Sequence, residues 1–405
     1  MNICIFEDNK ANNFYPLSLT KPVFDLLCGT TTFEKRIFSF TPKASKYFYC
    51  RPYLHPLLKQ QKRKLLQKPT SLASCLFING RVAMTPALMK KISTAKSDKL
   101  FYHKKTLIAA FLTKDNLNLI TADSELTLKT NRLPKIQVNA ILPNFIWELV
   151  NINAKQIRLD AKDFFELGSI QGKLYENVTL LNKKNIFIHQ TVRIKPGVVI
   201  DAEKGPVIID QGCTILPNTT IIGPVYIGSK STINAGAKIL SDTSIGPVSK
   251  IGGEIAESII LGYSNKQHDG FLGHSYLGSW CNLGANTNNS DLKNNYGNID
   301  IILDGVKINS KQQFAGLYMG DHSKTGINTS FNTGTTVGVG CNIFGSGLPQ
   351  KFIPSFMWIN PAEKPQIHVF DKFVKTASQA MKRRSVLYSA ADKRIHSYIF
   401  RIRHK

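Results

Sequence analysis

Three histidines, His268, His274 and His322, stand in a stretch punctuated by glycine at Gly273, Gly278 and Gly284. An imidazole titrates near neutral pH and can take a proton from an attacking nucleophile, although a lone histidine also serves as a satisfied corner or surface residue. His268 and His274 lie six residues apart, on successive faces of an extended repeat, which is not the spacing of metal ligands on neighbouring coils. In the N-terminal third, Lys21 before Pro22, Arg36 and Arg81 are cations that could hold phosphate groups. No aspartate stands out as a metal ligand. The seven cysteines are odd in number and lack CxxC spacing, which argues against a disulfide frame or a structural zinc site. Cys213, Cys281 and Cys341 read as small core residues.

The histidines follow a ladder that must position them. Isoleucine recurs at every sixth residue through Ile209, Ile215, Ile221, Ile227, Ile233, Ile239, Ile245 and Ile251. Four residues after each stands a small or β-branched residue, from Cys213 and Thr219 to Ser249, with the larger Ile255 closing the series. A unit of six is too short for a helix pair, and period two puts both sites on one side of an extended chain. Each unit is therefore one short strand plus a corner, and the stack is a parallel β-helix. Glycine after the apolar residue, as at Gly228, Gly246 and Gly252, suits a corner that needs positive φ or close backbone approach. The ladder begins faintly at Ile186, after a connector to about 185, and slips at Asp201–Pro206 and near Leu261. It is interrupted from Asn288 to Tyr318 and resumes at Met319. That excursion leaves the prism as a loop, and loops on rigid scaffolds commonly carry function.

The code of aliphatic, glycine, two free residues, small and free resembles the hexapeptide repeat of left-handed β-helix acyltransferases, and the handedness is implied by that resemblance alone. HDGFLGHSYLGSWCNLGANT, His268 to Thr287, resembles without gaps the acetyltransferase active-site segment of the GlmU-like family. The resemblance implies that His268 is the general base for an amine attacking the acetyl-CoA thioester, and that Asn282 contacts substrate. Phe271 stands where the family has tyrosine, so a hydroxyl contact to sugar phosphate is lost, and Asn295-Tyr296-Gly297 echoes the family's next substrate element. The family's basic phosphate contact falls near Ala256 or Glu257, neither of them cationic. GLYMGDHSKTGINTSFNTG, Gly316 to Gly334, resembles the following coil of the same family. Before the ladder, YPLSLTKPVFDLLCG (Tyr15 to Gly29), FINGRV (Phe77 to Val82) and IWELV (Ile146 to Val150) resemble its nucleotidyltransferase lobe. The glycine-rich phosphate loop is replaced there by FEDNKANNFYP. Lys21, Arg36 and Arg81 are then the nucleotide-binding candidates, with Mg2+ and UTP or another nucleoside triphosphate as cofactors if the lobe is active.

Three segments follow: an α/β lobe at 1–170, a left-handed β-helix acyltransferase domain at 171–358 with the excursion at 288–318, and a basic helical tail at 359–405. In the lobe, strands are expected at Ile3–Phe6, Cys75–Ile78 and Leu107–Leu112, and helices from Thr85-Pro86 and over Ile146–Leu167. The net charge of +25 suits anionic partners such as sugar phosphates, nucleotides or coenzyme A. No aromatic-and-basic motif accompanies the charge, so it reads as a lysine-rich solvated surface rather than a nucleic-acid site. With no secretory signal and no apolar run of roughly 18 residues, the chain is expected to be cytoplasmic and to span no membrane.

Together these features predict an acetyl-CoA-dependent N-acetyltransferase acting on an amino-sugar phosphate, coupled to nucleotidyl transfer in nucleotide-sugar synthesis and assembled as a homotrimer. Two rivals occupy the same helix: a γ-type carbonic-anhydrase-like metalloenzyme, and a non-catalytic sugar-nucleotide-binding scaffold.

Overall fold

The computed structural model describes residues 1–66, 69–122, 126–128 and 132–403. The first lobe is built on a six-stranded sheet in the order Lys135–Gln137, Lys99–His103, Thr106–Thr113, Ser74–Asn79, Asn2–Phe6, Ser45–Tyr49. Of these strands Thr106–Thr113 runs antiparallel to both neighbours, and the other pairings are parallel. Alternation in Asn2–Phe6 sends Ile3 and Ile5 into one core and Cys4 and Phe6 into another, so helices or loops must cover both sides. Helices α1 (Phe33–Ser39), α2 (His55–Gln60), α3 (Pro86–Ser93) and α4 (Ile146–Phe164) follow in chain order. Thr85 accepts the Leu88 N–H at 3.3 Å and Pro86 opens α3, the expected N-terminal pairing. α4 ends at Phe164, three residues before the expected Leu167, because Phe165 turns to extended backbone.

From Gly168 onward the chain winds into a left-handed parallel β-helix of about ten turns. Every isoleucine of the ladder is fully buried inside the prism. The segment expected as a connector is the first coil: the Gly168 N–H donates to Ile186 O at 2.8 Å, and Lys173–Leu174 and Thr179–Leu181 pair with the next turn. Its Leu174 and Leu181 remain 37% and 39% exposed, as befits an end coil, and that is why the apolar signal is weak there.

The glycines after the apolar residues are needed for close approach. A Cβ on Gly246 would lie 2.6 Å from Gly262 N, and one on Gly284 would lie 2.3 Å from Gly326 O. Positive φ falls one or two residues later at one corner, where Lys230, Val248, Tyr263, Trp280 and His322 all adopt it between 60° and 64°. Stacked neighbours hold these non-glycine residues in a region that usually favours glycine.

One face of the prism carries an outward column of large apolar residues in register, Phe187, Ile208 and Tyr226, then Ile259, Tyr276 and Tyr318, with Ser244 on the rung between the two groups. α4 packs on the lower part of this column through Ile157 and Ala161, and the lobe joins Ile259, Tyr276 and Tyr318 in one continuous core. The excursion is shorter than expected, since Asn288–Asn289 still pairs with Ser330–Phe331. What leaves the prism is a hairpin, Asp300–Leu303 with Val306–Asn309, which folds back on its own chain. It buries Ile299, Ile301 and Leu303, and Thr336 Oγ1 donates to Ile302 O at 2.6 Å. Helices α5 (Phe370–Lys382) and α6 (Ala390–Arg403) close the assembly, with Phe373, Ala377, Ile395 and Ile399 in the same core. Tyr398 of α6 stacks on Tyr53 of the lobe at 4.3 Å. No helix among the described residues is long and apolar enough to cross a membrane.

Ile227→Asp should unfold the solenoid, since an unpaired carboxylate in the dry prism costs on the order of several kcal/mol. Lys230→Asp, at an exposed corner, should leave the thermal unfolding midpoint within a few degrees of the parent. Circular-dichroism melts that lowered both alike would contradict the six-residue register.

Candidate functional site

The three histidines of the solenoid have different fates. His268 follows the strand Asn265–Lys266 and stands exposed at the edge between two faces. It takes part in none of the described side-chain hydrogen bonds or ion pairs. Its corner is pinned from within by Lys266, which occupies the inward rung that Ile251 fills on the preceding coil. The Lys266 ammonium donates to His268 O at 2.8 Å and Asp269 O at 3.2 Å, and burial pushes its pKa down to about 8. A lysine in an isoleucine position is a signal the sequence carries, hidden by the slip in the ladder near Leu261.

His274 is held by two carboxylates from neighbouring coils. Its Nδ1 lies 2.8 Å from Asp291 Oδ2, its Nε2 pairs with Glu257, and its ring stacks on Phe314 at 4.9 Å. Burial would lower its pKa, but the hydrogen bonds to Asp291 and Glu257 outweigh that and raise it to about 9. The cation missing from the coil of Glu257 is thus replaced by a histidinium that Glu257 itself holds. His322 is buried against His396 of α6, with ring centroids 5.2 Å apart, and burial drives its pKa well below the ordinary value. His396 falls to about 4, again through burial. Both are therefore neutral structural rings at physiological pH.

Asn282 lies on the outward face of the same coil set as His268. Its Oδ1 accepts from Asn265 Nδ2 at 3.2 Å, and both asparagines line a groove of about 400 Å³. Gln267, the residue before His268, lines that groove with Asn282. Phe271 lies on the next face, its N–H donating to Asn288 Oδ1 at 2.8 Å. Its ring lies 2.4 Å from the position a Cβ on Gly273 would take, so that glycine makes room for it. Asn295 and Tyr296 are elsewhere. Asn295 lines a separate depression with Ser290, Lys293 and Asn332, and Tyr296 is 67% exposed. His268 follows the strand beside Asn282, Phe271 lies on the next face with its ring over Gly273, and Asn295 and Tyr296 lie apart from them.

In the lobe, all three nucleotide-binding candidates are committed to ion pairs within the chain. Lys21 pairs with Asp321 of the solenoid, and Thr20 Oγ1 donates to the same carboxylate at 2.7 Å. Arg36 is fully buried against Asp160 of α4 at 2.6 Å, and Arg81 is fully buried against Asp8, with Nε to Oδ1 at 2.9 Å. None of the three side chains is free to meet a phosphate. The segment in place of the glycine-rich loop is a short 3-10 helix, Asn9–Phe14, with Asp8 accepting the Lys10 N–H at 3.2 Å. The carboxylates at the end of the first strand are likewise occupied. Glu7 takes Arg51 at 2.9 Å and the Val23 N–H at 2.7 Å, and Asp8 takes Arg81. This donor set does not fit a divalent metal, because a cation would have to displace a guanidinium from each carboxylate. Among the described residues, no three His, Cys, Asp or Glu side chains converge as metal ligands.

Residues 3–166 match the family of sugar nucleotidyl transferases. The Bifunctional protein GlmU of Methanocaldococcus jannaschii is 33% identical over 196 residues, covering 47% of this chain and 46% of that protein. A bifunctional sugar-1-phosphate nucleotidylyltransferase/acetyltransferase of Sulfurisphaera tokodaii is 28% identical over 225 residues, covering 54% and 55%. The chain spans about half the length of these relatives. Among solved structures, the polySia-specific acetyltransferase NeuO is aligned over 56% of this chain and 100% of its own, at 15% identity and a TM-score of 0.28.

The His274 bridge yields a pH test with a fixed sign. A folded-state pKa of about 9, above the ordinary 6.5, contributes stability that is fully present below about pH 6.5 and is lost as pH rises through 9. His274→Gln should therefore melt below the parent at pH 6, and the gap should narrow by pH 10 in parallel thermal melts. A gap that stays constant from pH 6 to 10 would mean that the ring holds the coils without its charge.

Proposed function

From a chain that is GlmU-like, with a sugar nucleotidyl transferase lobe followed by a hexapeptide β-helix, we propose acetyl-CoA-dependent N-acetylation of an amino-sugar phosphate. The observation that carries this reading is the contrast among the solenoid histidines. His274 is charged between two carboxylates and His322 is buried and neutral, whereas His268 is exposed and uncommitted at the corner matching the acetyltransferase motif. In the proposed reaction His268 takes a proton as the amine nitrogen attacks the thioester carbonyl. The C–S bond then breaks, and coenzyme A leaves as the thiol once it is protonated. Asn282, one edge away, orients the acceptor. Phe271 offers a ring face where a hydroxyl would otherwise bind, which places more of the acceptor's recognition on Asn282.

Coupling to nucleotidyl transfer is the finer part of the proposal. The lobe would hold a nucleoside triphosphate only after the Arg51–Glu7 and Arg81–Asp8 pairs open, so the acetyl-transfer half is the stronger reading. We further propose a homotrimer. One face of the prism is already covered by the chain's own lobe, and the other two carry exposed apolar groups such as Ile327, 68% exposed, that a neighbouring prism could cover. Sedimentation showing only monomer at micromolar concentration would reject the trimer.

His268→Ala should leave folding intact, because an exposed corner residue contributes little core burial. Its acetylation rate should fall by about two to four orders of magnitude, the usual size of a lost general base, while acetyl-CoA affinity changes little. Near-normal acetylation of a verified acceptor by His268→Ala would reject this assignment and reopen the metalloenzyme and scaffold readings.

A further inference from the structure

The face of the prism that carries Asn282 has an outward column unlike the apolar one. Lys250, Asn265, Asn282 and Lys324 stand on four consecutive rungs in register. At roughly 4.8 Å per rung, the two lysine backbones are about 14 Å apart, with the two amides between them. Over the middle of this column lies the end of α5. Arg384 Nη2 donates to Asn265 Oδ1 at 2.9 Å, and Arg383 lines the same groove. Four basic side chains thus converge on a space of about 400 Å³ whose lining residues include no aspartate or glutamate. None of the four has a carboxylate partner among the ion pairs described. Every buried cation of the lobe does have one.

That contrast matters because like charges gathered without counter-charge destabilise the free protein, and Lys324 is desolvated enough that burial lowers its pKa. A cleft lined by one sign of charge raises the local concentration of counter-ions. The wall at one end is aromatic: Tyr263 and Trp280 stack at 4.4 Å. At the other end Gln267 leads directly into His268.

We propose that this groove is a binding site for an organic phosphate, held by Arg383 and Arg384 from the end of α5 together with Lys250 and Lys324 from the solenoid. A phosphate seated between the arginines and lysines leaves the rest of the ligand directed across Asn282 and Gln267 towards His268. That direction rests on the acetyl-transfer reading, whereas the anion site does not. Two sources share this chemistry, the phosphate of an amino-sugar phosphate and the phosphates of coenzyme A.

Isothermal titration of the full chain with glucosamine 1-phosphate, coenzyme A and phosphate-free glucosamine tests the site. At least one phosphorylated ligand should bind, glucosamine should not, and the ligand that binds identifies the source. Arg383→Gln/Arg384→Gln, at the surface end of a helix, should weaken binding by about 10- to 100-fold, the range for losing charge-assisted hydrogen bonds. Arg193→Gln, an exposed rung on the same face outside the groove, should bind as the parent does. Parent-like affinity in the double arginine variant would overturn the proposal, as would a parent that binds neither phosphate below about 1 mM. If binding follows the arginines but the parent acetylates nothing, the site stands and the acetyl-transfer reading falls. If the double variant acetylates with unchanged KM for both substrates, the site falls and that reading stands.

Discussion

The structure depends on one apolar contact surface, the outward column of aromatic and aliphatic side chains on a single face of the prism. A hexapeptide solenoid is stable by neighbour-to-neighbour stacking alone, and its outward positions are otherwise free to be polar. Here Ile208, Tyr226, Ile259, Tyr276 and Tyr318 make one face a seat for α4, the lobe, the hairpin and the closing helices. Polar bonds set the position: Tyr276 Oη donates to Leu27 O at 2.7 Å, and Ser244 Oγ donates to Gly29 O at 2.7 Å. Burial of this column fixes which faces of the prism remain open, and the face bearing Asn282 is one of them.

The two halves handle charge in opposite ways. In the lobe, guanidinium groups are spent on carboxylates inside the fold, as with Arg36 and Asp160 or Arg51 and Glu7. Such buried pairs are costly to break, since removing one partner leaves a desolvated charge. They make the lobe rigid, and they fill the crevice at the ends of its strands. Along the open face of the solenoid, lysines and arginines are left without such partners while amides do the local bonding. The cations that face the lobe's crevice are thus neutralised within the fold, whereas those lining the groove of the solenoid have no carboxylate beside them.

The solenoid was legible because each coil repeats one physical demand, a branched aliphatic residue at the inward rung and a glycine where backbones touch. Where the demand is met imperfectly, the pattern fades. The first coil reads as a connector because its leucines are more than a third exposed, and Lys266 is inconspicuous because its charged end reaches a corner while its stem fills an isoleucine's place. The His268 corner was legible as a contiguous motif. The commitments of Lys21, Arg36 and Arg81 were not, because their partners Asp321, Asp160 and Asp8 lie as far as 300 residues away in sequence. Local pattern says that a cation is present but not what neutralises it. The role of Arg383 and Arg384 was hidden for the same reason, since only the docking of α5 brings them beside Asn265.

The docking of α6 sets an order of events during synthesis. Ser389 at its start bonds Gln60 of the lobe, 329 residues earlier in the chain, and Tyr398 covers Tyr53. The coils can stack one by one as they emerge, but the lobe's surface around Tyr53 and Leu57 stays uncovered until residues 390–403 have left the ribosome. At about 5–20 residues per second that interval is on the order of 20–60 s. During most of it the coils are still being made, so an apolar patch on the lobe is open to solvent, and at this stage the nascent protein has most need of a chaperone.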